Sequence, residues 1–123
     1  MTMPPGLDPQ PWVIDTSGLI RGVVADIEAG RGAASVSARF HVTVAAMLRA
    51  AAVQARGQSG LGRVALAGGC FANDRLVRIL VPGLEADGFE IFVHRDVSPG
   101  DGGVALGQAY VAAARLREEA GSA

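Results

Sequence analysis

The chain has 123 residues and a mass of 12.6 kDa, enough for one domain with a single core and too short for two ordinary ones. Half of its residues are apolar, 19% are charged, and 11 basic against 12 acidic side chains leave a net charge of −1, which excludes a disordered tail and a polybasic binder of nucleic-acid backbones. The longest uninterrupted run of apolar residues and glycines, 64–72, is about half of the roughly 18 residues that a membrane span needs, and the amino terminus carries no secretory pattern, so a cytoplasmic protein with no membrane partner is expected.

Residues 1–11 hold four of the six prolines, which remove amide donors and favour extended chain. They read as a proline-rich lead-in to a single domain over 12–117, with a tail at 118–123. Between Trp12 and Glu28, the positions Val13, Ile14, Leu19, Ile20, Val23, Val24 and Ile27 recur at mixed spacings, which predicts a helical region interrupted at Gly18 and closed at Gly30–Gly32. Ser35 reads as an N-cap, and Val36, Phe40, Val44, Met47, Leu48, Ala51 and Ala55 form one face of a helix ending near Gly57.

A turn at 58–62 precedes a short buried strand, 63–67, that delivers the chain to Gly68 and Gly69. Asn73 can cap the following helix. Leu76, Val77, Leu80 and Leu84 line one face of it, and Pro82 is expected to kink or end it, because proline deletes the hydrogen bond to Arg78. The poor alternation of 89–93 predicts a second strand, buried on both faces. A glycine-rich loop at 98–103 then leads to a last helix, 104–117, with Ala105, Leu106, Ala109, Val111, Ala112 and Leu116 available for packing.

The order helix, strand, helix, strand, helix calls for an α/β fold, with helices packed on a short, mainly parallel sheet. Ligands of such sheets gather beyond the carboxyl ends of the strands, where both glycine clusters fall. In the segment Leu66-Ala67-Gly68-Gly69-Cys70-Phe71-Ala72-Asn73, the absent side chains of Gly68 and Gly69 let a flat ligand or a sugar approach the backbone, helix amides can face an anion, and Asn73 can bond a ribose hydroxyl. A tight strand-to-helix turn with an Asn cap explains the same residues.

In the segment Pro99-Gly100-Asp101-Gly102-Gly103, the carboxylate of Asp101 stands unshielded between glycines. It suits a divalent cation that bridges phosphate oxygens, or a helix cap. The residues alone thus point to a phosphate or nucleotide site in an α/β domain. His41, beside Phe40, and His94, after the second strand, read as packing and loop polarity. Cys70, the single cysteine, reads as a small buried hydrophobe; with two histidines it makes no zinc cluster.

The pairing of these two glycine segments, the second continuing as Val104-Ala105-Leu106-Gly107-Gln108, closely resembles the carboxyl-terminal end of the HypF-type carbamoyltransferases of nickel-iron hydrogenase maturation. That family's pattern is L-S-G-G-V-F-x-N followed by P-N-D-G-G-I-A-L-G-Q. Ala38-Arg39-Phe40-His41 is similar to its upstream helix, and the likeness covers roughly 12–115. Gly100 stands where the family has Asn, and Cys70 where it has Val.

The resemblance implies the back half of an actin-like fold of the sugar-kinase and Hsp70-type ATPase kind, in which two halves close over a nucleotide. It implies that Gly68, Gly69 and Asn73 contact the adenosine part of ATP or a carbamoyl-adenylate. Asp101 then binds a divalent metal, magnesium or iron, near the phosphates, and Gly102 and Gly103 shape that loop. The carbamoyl group passes to a carboxyl-terminal cysteine of a HypE-like acceptor and later becomes the cyanide ligand of the hydrogenase iron.

The family's acylphosphatase-like part, zinc-finger segment, adenylate-forming domain and front-half metal histidines have no counterpart here. The resemblance therefore implies a truncated or split transferase completed by a front-half polypeptide, with self-association as a further expectation. The alternative is a non-catalytic nucleotide-binding or protein-interaction remnant of the same fold.

Overall fold

The computed structural model describes residues 12–121, so the lead-in at 1–11 lies outside the described residues. Its elements are α1 (Ser17–Glu28), α2 (Ala33–Ser59), β1 (Arg63–Leu66), a 3-10 turn (Gly69–Ala72), α3 (Asp74–Ala86), β2 (Glu90–Val93), a second 3-10 turn (Asp101–Gly103) and α4 (Val104–Gly121). The architecture is mostly helical, with β1 and β2 paired in a short parallel sheet, and is consistent with an α/β fold. The described chain divides into two compact units, one of 12–64 and 74–91, the other of 65–73 and 92–121.

In the first unit, α1 starts at Ser17 because Asp15 satisfies the helix entrance. One Asp15 carboxylate oxygen accepts the Ser17 N–H at 2.8 Å and the other accepts the Ser17 hydroxyl at 3.0 Å. The Ser17 amide, and after it the hydroxyl, hold the Asp15 carboxyl below its ordinary range. Gly18 falls in the first turn and does not interrupt the helix. In α2 the cap position belongs to Gly32 and not to Ser35, whose own amide already donates to the Gly32 carbonyl at 2.9 Å. The helix runs past Gly57 to Ser59, where Gly60 takes the left-handed conformation (φ 70°) that closes a helix end.

α2 packs against α1 and α3. It is long and apolar enough, by length and composition, to cross a membrane, a property that a count of uninterrupted apolar residues misses. Its arginines, however, are tied to neighbouring elements. Arg39 pairs with Asp26 of α1, Arg49 forms a two-point pair with Asp87, and Arg56 donates to the Asp87 carbonyl at 2.7 Å while its guanidinium lies 4.1 Å above the Phe89 ring. Between α2 and α3 the buried side chains are Ala45, Leu76, Leu80 and Leu84.

Pro82 does not end α3, which continues to Ala86. Leu76, Leu80 and Leu84 are buried along one side, whereas Arg78 and Pro82 are exposed, so the Arg78 carbonyl that loses its partner faces water. Apolar burial on one face outweighs the local break on the other. The helices also approach closely here: a Cβ at Gly83 would stand 3.3 Å from the Arg49 side chain.

The strands are not buried on both faces. β1 ends at Leu66, its one buried residue, and β2 holds none, because among the described residues the sheet has only two strands and offers few positions to cover. α4 departs further from expectation. None of its residues is buried, Leu106, Val111 and Leu116 included, and the helix continues through 118–121 where a tail is expected. Its apolar residues lie all round the helix and not on one stripe, which gives no single face to bury.

Candidate functional site

Both glycine segments belong to the second unit. Gly68 has φ 106° and ψ 157°, a conformation that only glycine adopts without strain, and this turns the chain out of β1. The turn directs the Gly68 N–H onto the carbonyl of Pro99 at 2.6 Å. Alongside that bond, a Cβ at Gly100 would lie 3.6 Å from the Cα of Gly69. The two loops are therefore in van der Waals contact, backbone against backbone.

Each loop is also stitched internally. The Phe71 N–H donates to the Gly68 carbonyl at 3.1 Å and the Asn73 N–H to the Cys70 carbonyl at 3.2 Å. In the other loop the Ser98 hydroxyl accepts the Gly100 N–H at 3.3 Å, and the Gly103 N–H donates to the Gly100 carbonyl at 3.0 Å. A Cβ at Gly103 would stand 2.6 Å from the Ser98 carbonyl oxygen, so this glycine is demanded by the fold of the loop itself. The amides of Gly68, Phe71, Asn73, Gly100 and Gly103 are thus engaged within the protein.

The remaining surfaces are side chains and bare backbone. Gly69 has open space where a Cβ would point. Asn73 lies exposed and extended between the 3-10 turn and α3. Asp101 is exposed in the 3-10 turn that opens into α4. Cys70 is exposed, not buried, because the 3-10 turn at Gly69–Ala72 lifts it to the surface.

A metal does not fit these residues by themselves. No group of three or more His, Cys, Asp or Glu side chains comes together among the described residues, and one carboxylate supplies too few oxygens for a hard divalent cation. His94 is exposed in the loop after β2, and the His41 Nδ1–H donates to the Ser37 carbonyl at 2.7 Å within α2, an ordinary helical contact. Pro99, which joins the loops, escapes sequence reasoning because it acts through a backbone carbonyl that any residue carries.

Residues 2–108 match the family described as carbamoyltransferase, Kae1-like domain, second subdomain. A carbamoyltransferase HypF homolog of Cupriavidus necator is 43% identical over 106 residues, which cover 85% of this chain and 27% of that protein. Carbamoyltransferase HypF2 of the same organism is 38% identical over 113 residues, 87% of this chain and 14% of the relative. Carbamoyltransferase HypF of Rhodobacter capsulatus is 42% identical over 79 residues, 62% of this chain and 10% of its own length. The chain thus spans about a quarter or less of each of these relatives. No solved structure matches it.

Proposed function

This chain belongs to the HypF carbamoyltransferase family, and on that premise we propose that its paired glycine loops form one wall of a nucleotide site, serving carbamoyl transfer together with the parts of the family protein that the chain does not span. The observation that carries the reading is the Gly68–Pro99 hydrogen bond, which puts the bare backbone of 68–69 beside the loop that bears Asp101. In this reading Gly68 and Gly69 offer a flat surface to the adenine or ribose of ATP or a carbamoyl-adenylate, and Asn73 bonds a ribose hydroxyl.

Asp101 contributes one carboxylate near the phosphates, and a divalent cation, magnesium or iron, needs further ligands from the rest of the family domain. Gly102 and Gly103 keep that loop low enough for the carboxylate to be reached. The parent architecture in this reading is the actin-like fold, and the acceptor is the carboxyl-terminal cysteine of a HypE-like protein in the cytoplasm.

Isothermal titration with ATP and with a non-hydrolysable carbamoyl-adenylate analogue tests the reading, with and without magnesium or iron(II), on the chain alone and mixed with the complementary portion of the Cupriavidus necator relative. Binding that strengthens on complementation, and whose metal dependence Asp101→Asn removes, is the expected result. No binding in any mixture rejects it. The lack of a metal-ligand cluster among the described residues favours a second reading, a non-catalytic remnant. Nucleotide binding with no carbamoyl transfer to an acceptor peptide in the complemented mixture would select that one.

A further inference from the structure

Away from the glycine loops and independent of them, α1 and α2 meet along a seam. Its walls are two one-turn pairs, Val23 and Ile27 on α1 and Val36 and Phe40 on α2, around a groove of about 530 Å³. Such i, i+4 pairs normally meet a neighbouring element, yet Ile27 is 61% exposed and Phe40 is 38% exposed. Beneath the seam lies Asp26, the one buried charged residue among those described. A single oxygen of its carboxylate accepts Arg39 Nη1 at 2.9 Å and is ion-paired with Arg31 Nε, 3.0 Å away.

That arrangement is electrically unbalanced. One carboxylate neutralises one guanidinium, so the trio carries a net positive charge. Each arginine side chain remains about half exposed, at 51% and 56%, with its other N–H donors free to turn outward. Arg31 borders the groove, and Arg39 borders the adjoining hollow that shares Val23, Val36 and Phe40. The two hollows flank a shared apolar line of Val23, Val36 and Phe40, and the two cations are joined through one Asp26 oxygen.

We propose that this seam docks an acidic amphipathic helix of a partner protein, whose apolar ridge lies between α1 and α2 while carboxylates on its flank meet Arg31 and Arg39. The i, i+4 spacing of both walls suits a helical ridge, since ridges of that spacing pack into grooves of the same kind. The surplus positive charge selects acidic over basic helices, because a like charge brought against two guanidiniums is repelled.

Fluorescence anisotropy on the full chain tests this with a labelled, helix-forming peptide that carries Leu at i, i+3, i+4 and i+7 flanked by Glu, against the same peptide with Lys for every Glu. The expected result is saturable binding of the Glu peptide in clear preference to the Lys peptide, weakened roughly tenfold by Ile27→Ser and measurably by Arg31→Gln. Ile27 is largely exposed and Asp26 keeps Arg39 when Arg31 is changed, so neither substitution removes buried packing.

Hydrogen exchange on the unaltered chain gives a second readout, with peptide-dependent protection expected over 20–27 and 36–43. Absence of binding, equal binding of both peptides, indifference to both substitutions in folded variants, or protection confined to other segments would overturn the proposal. Preference for phosphatidylserine vesicles over the Glu peptide would overturn it too, and would make the seam a lipid-facing surface.

Discussion

The Gly68 amide donates to the Pro99 carbonyl at 2.6 Å, a bond between two loops that α3 and β2 separate along the chain. It depends on a backbone conformation (φ 106°, ψ 157°) that a side chain opposes even though nothing lies within 4 Å of a Cβ there. Gly68→Ala should therefore lose about 1–3 kcal/mol of stability by urea denaturation, a cost of conformation and not of collision. Gly69 has no positive φ and nothing within 4 Å of where its Cβ would point, so Gly69→Ala should change stability by less than about 0.5 kcal/mol. If the nucleotide reading holds, the same Gly69 substitution weakens ATP binding in the complemented mixture. Unchanged affinity would show that no ligand lies against that backbone.

Gly103 is constrained in the opposite way. Its φ is unremarkable, but a Cβ would be 2.6 Å from the Ser98 carbonyl oxygen and 3.2 Å from Val97 Cγ1. The first obstacle is backbone and cannot rotate aside, so Gly103→Ala must displace the loop that carries Asp101. A loss of about 1–3 kcal/mol is expected by urea denaturation, with faster hydrogen exchange over 98–103. Equal exchange in the two proteins would mean that the loop absorbs the methyl group without moving.

Pro82 occupies an interior position of α3, where it removes one backbone hydrogen bond. Because it is exposed, replacing it opens no cavity. Pro82→Ala is expected to raise stability by roughly 1–3 kcal/mol: the helix-interior penalty of about 3 kcal/mol is relieved, less the entropy that proline withholds from the unfolded chain. A higher urea midpoint at unchanged slope is the outcome that checks it. A lower midpoint would assign the proline a packing role that its exposure does not indicate.

Pro82 also shows where a sequence stops being informative. The period of Val36, Phe40, Val44, Met47 and Leu48 identifies α2 because those residues all report one face, and the structure returns that helix with its ends extended to Ala33 and Ser59. The rule that proline ends a helix is local. It does not see that Leu76, Leu80 and Leu84 are held by burial elsewhere on the same helix. The glycine segments are visible as composition, but the bond that joins them runs between two backbones and leaves no trace in residue type. Asp26 with Arg31 and Arg39 is equally silent, since charge pairing across α1 and α2 becomes apparent only once the helices are placed. α4 misleads for a different reason: its composition suits a packed helix, yet its apolar residues share no face, and all of them are exposed.

The contact between Asp87 and α2 makes stability depend on pH in a definite direction. Arg49 donates to both carboxylate oxygens of Asp87, and this hydrogen bonding, joined by the charges of Arg49 and Arg56, holds the Asp87 carboxyl below its ordinary value of 3.8. In the unfolded chain the group titrates near that ordinary value, so the folded state binds protons less readily than the unfolded state does. The stabilisation is therefore complete above the unfolded value and is lost as the pH falls through the lowered folded value. Urea midpoints of the unaltered chain and of Asp87→Asn should differ by a constant amount at neutral and weakly acid pH, then converge below the ordinary carboxylate range. Added salt should narrow the neutral-pH difference only in part, since the pair is two-point and one partner is largely shielded. A difference that persists unchanged into strong acid would show that Asp87 acts through the shape of its contact with α2 and not through its charge.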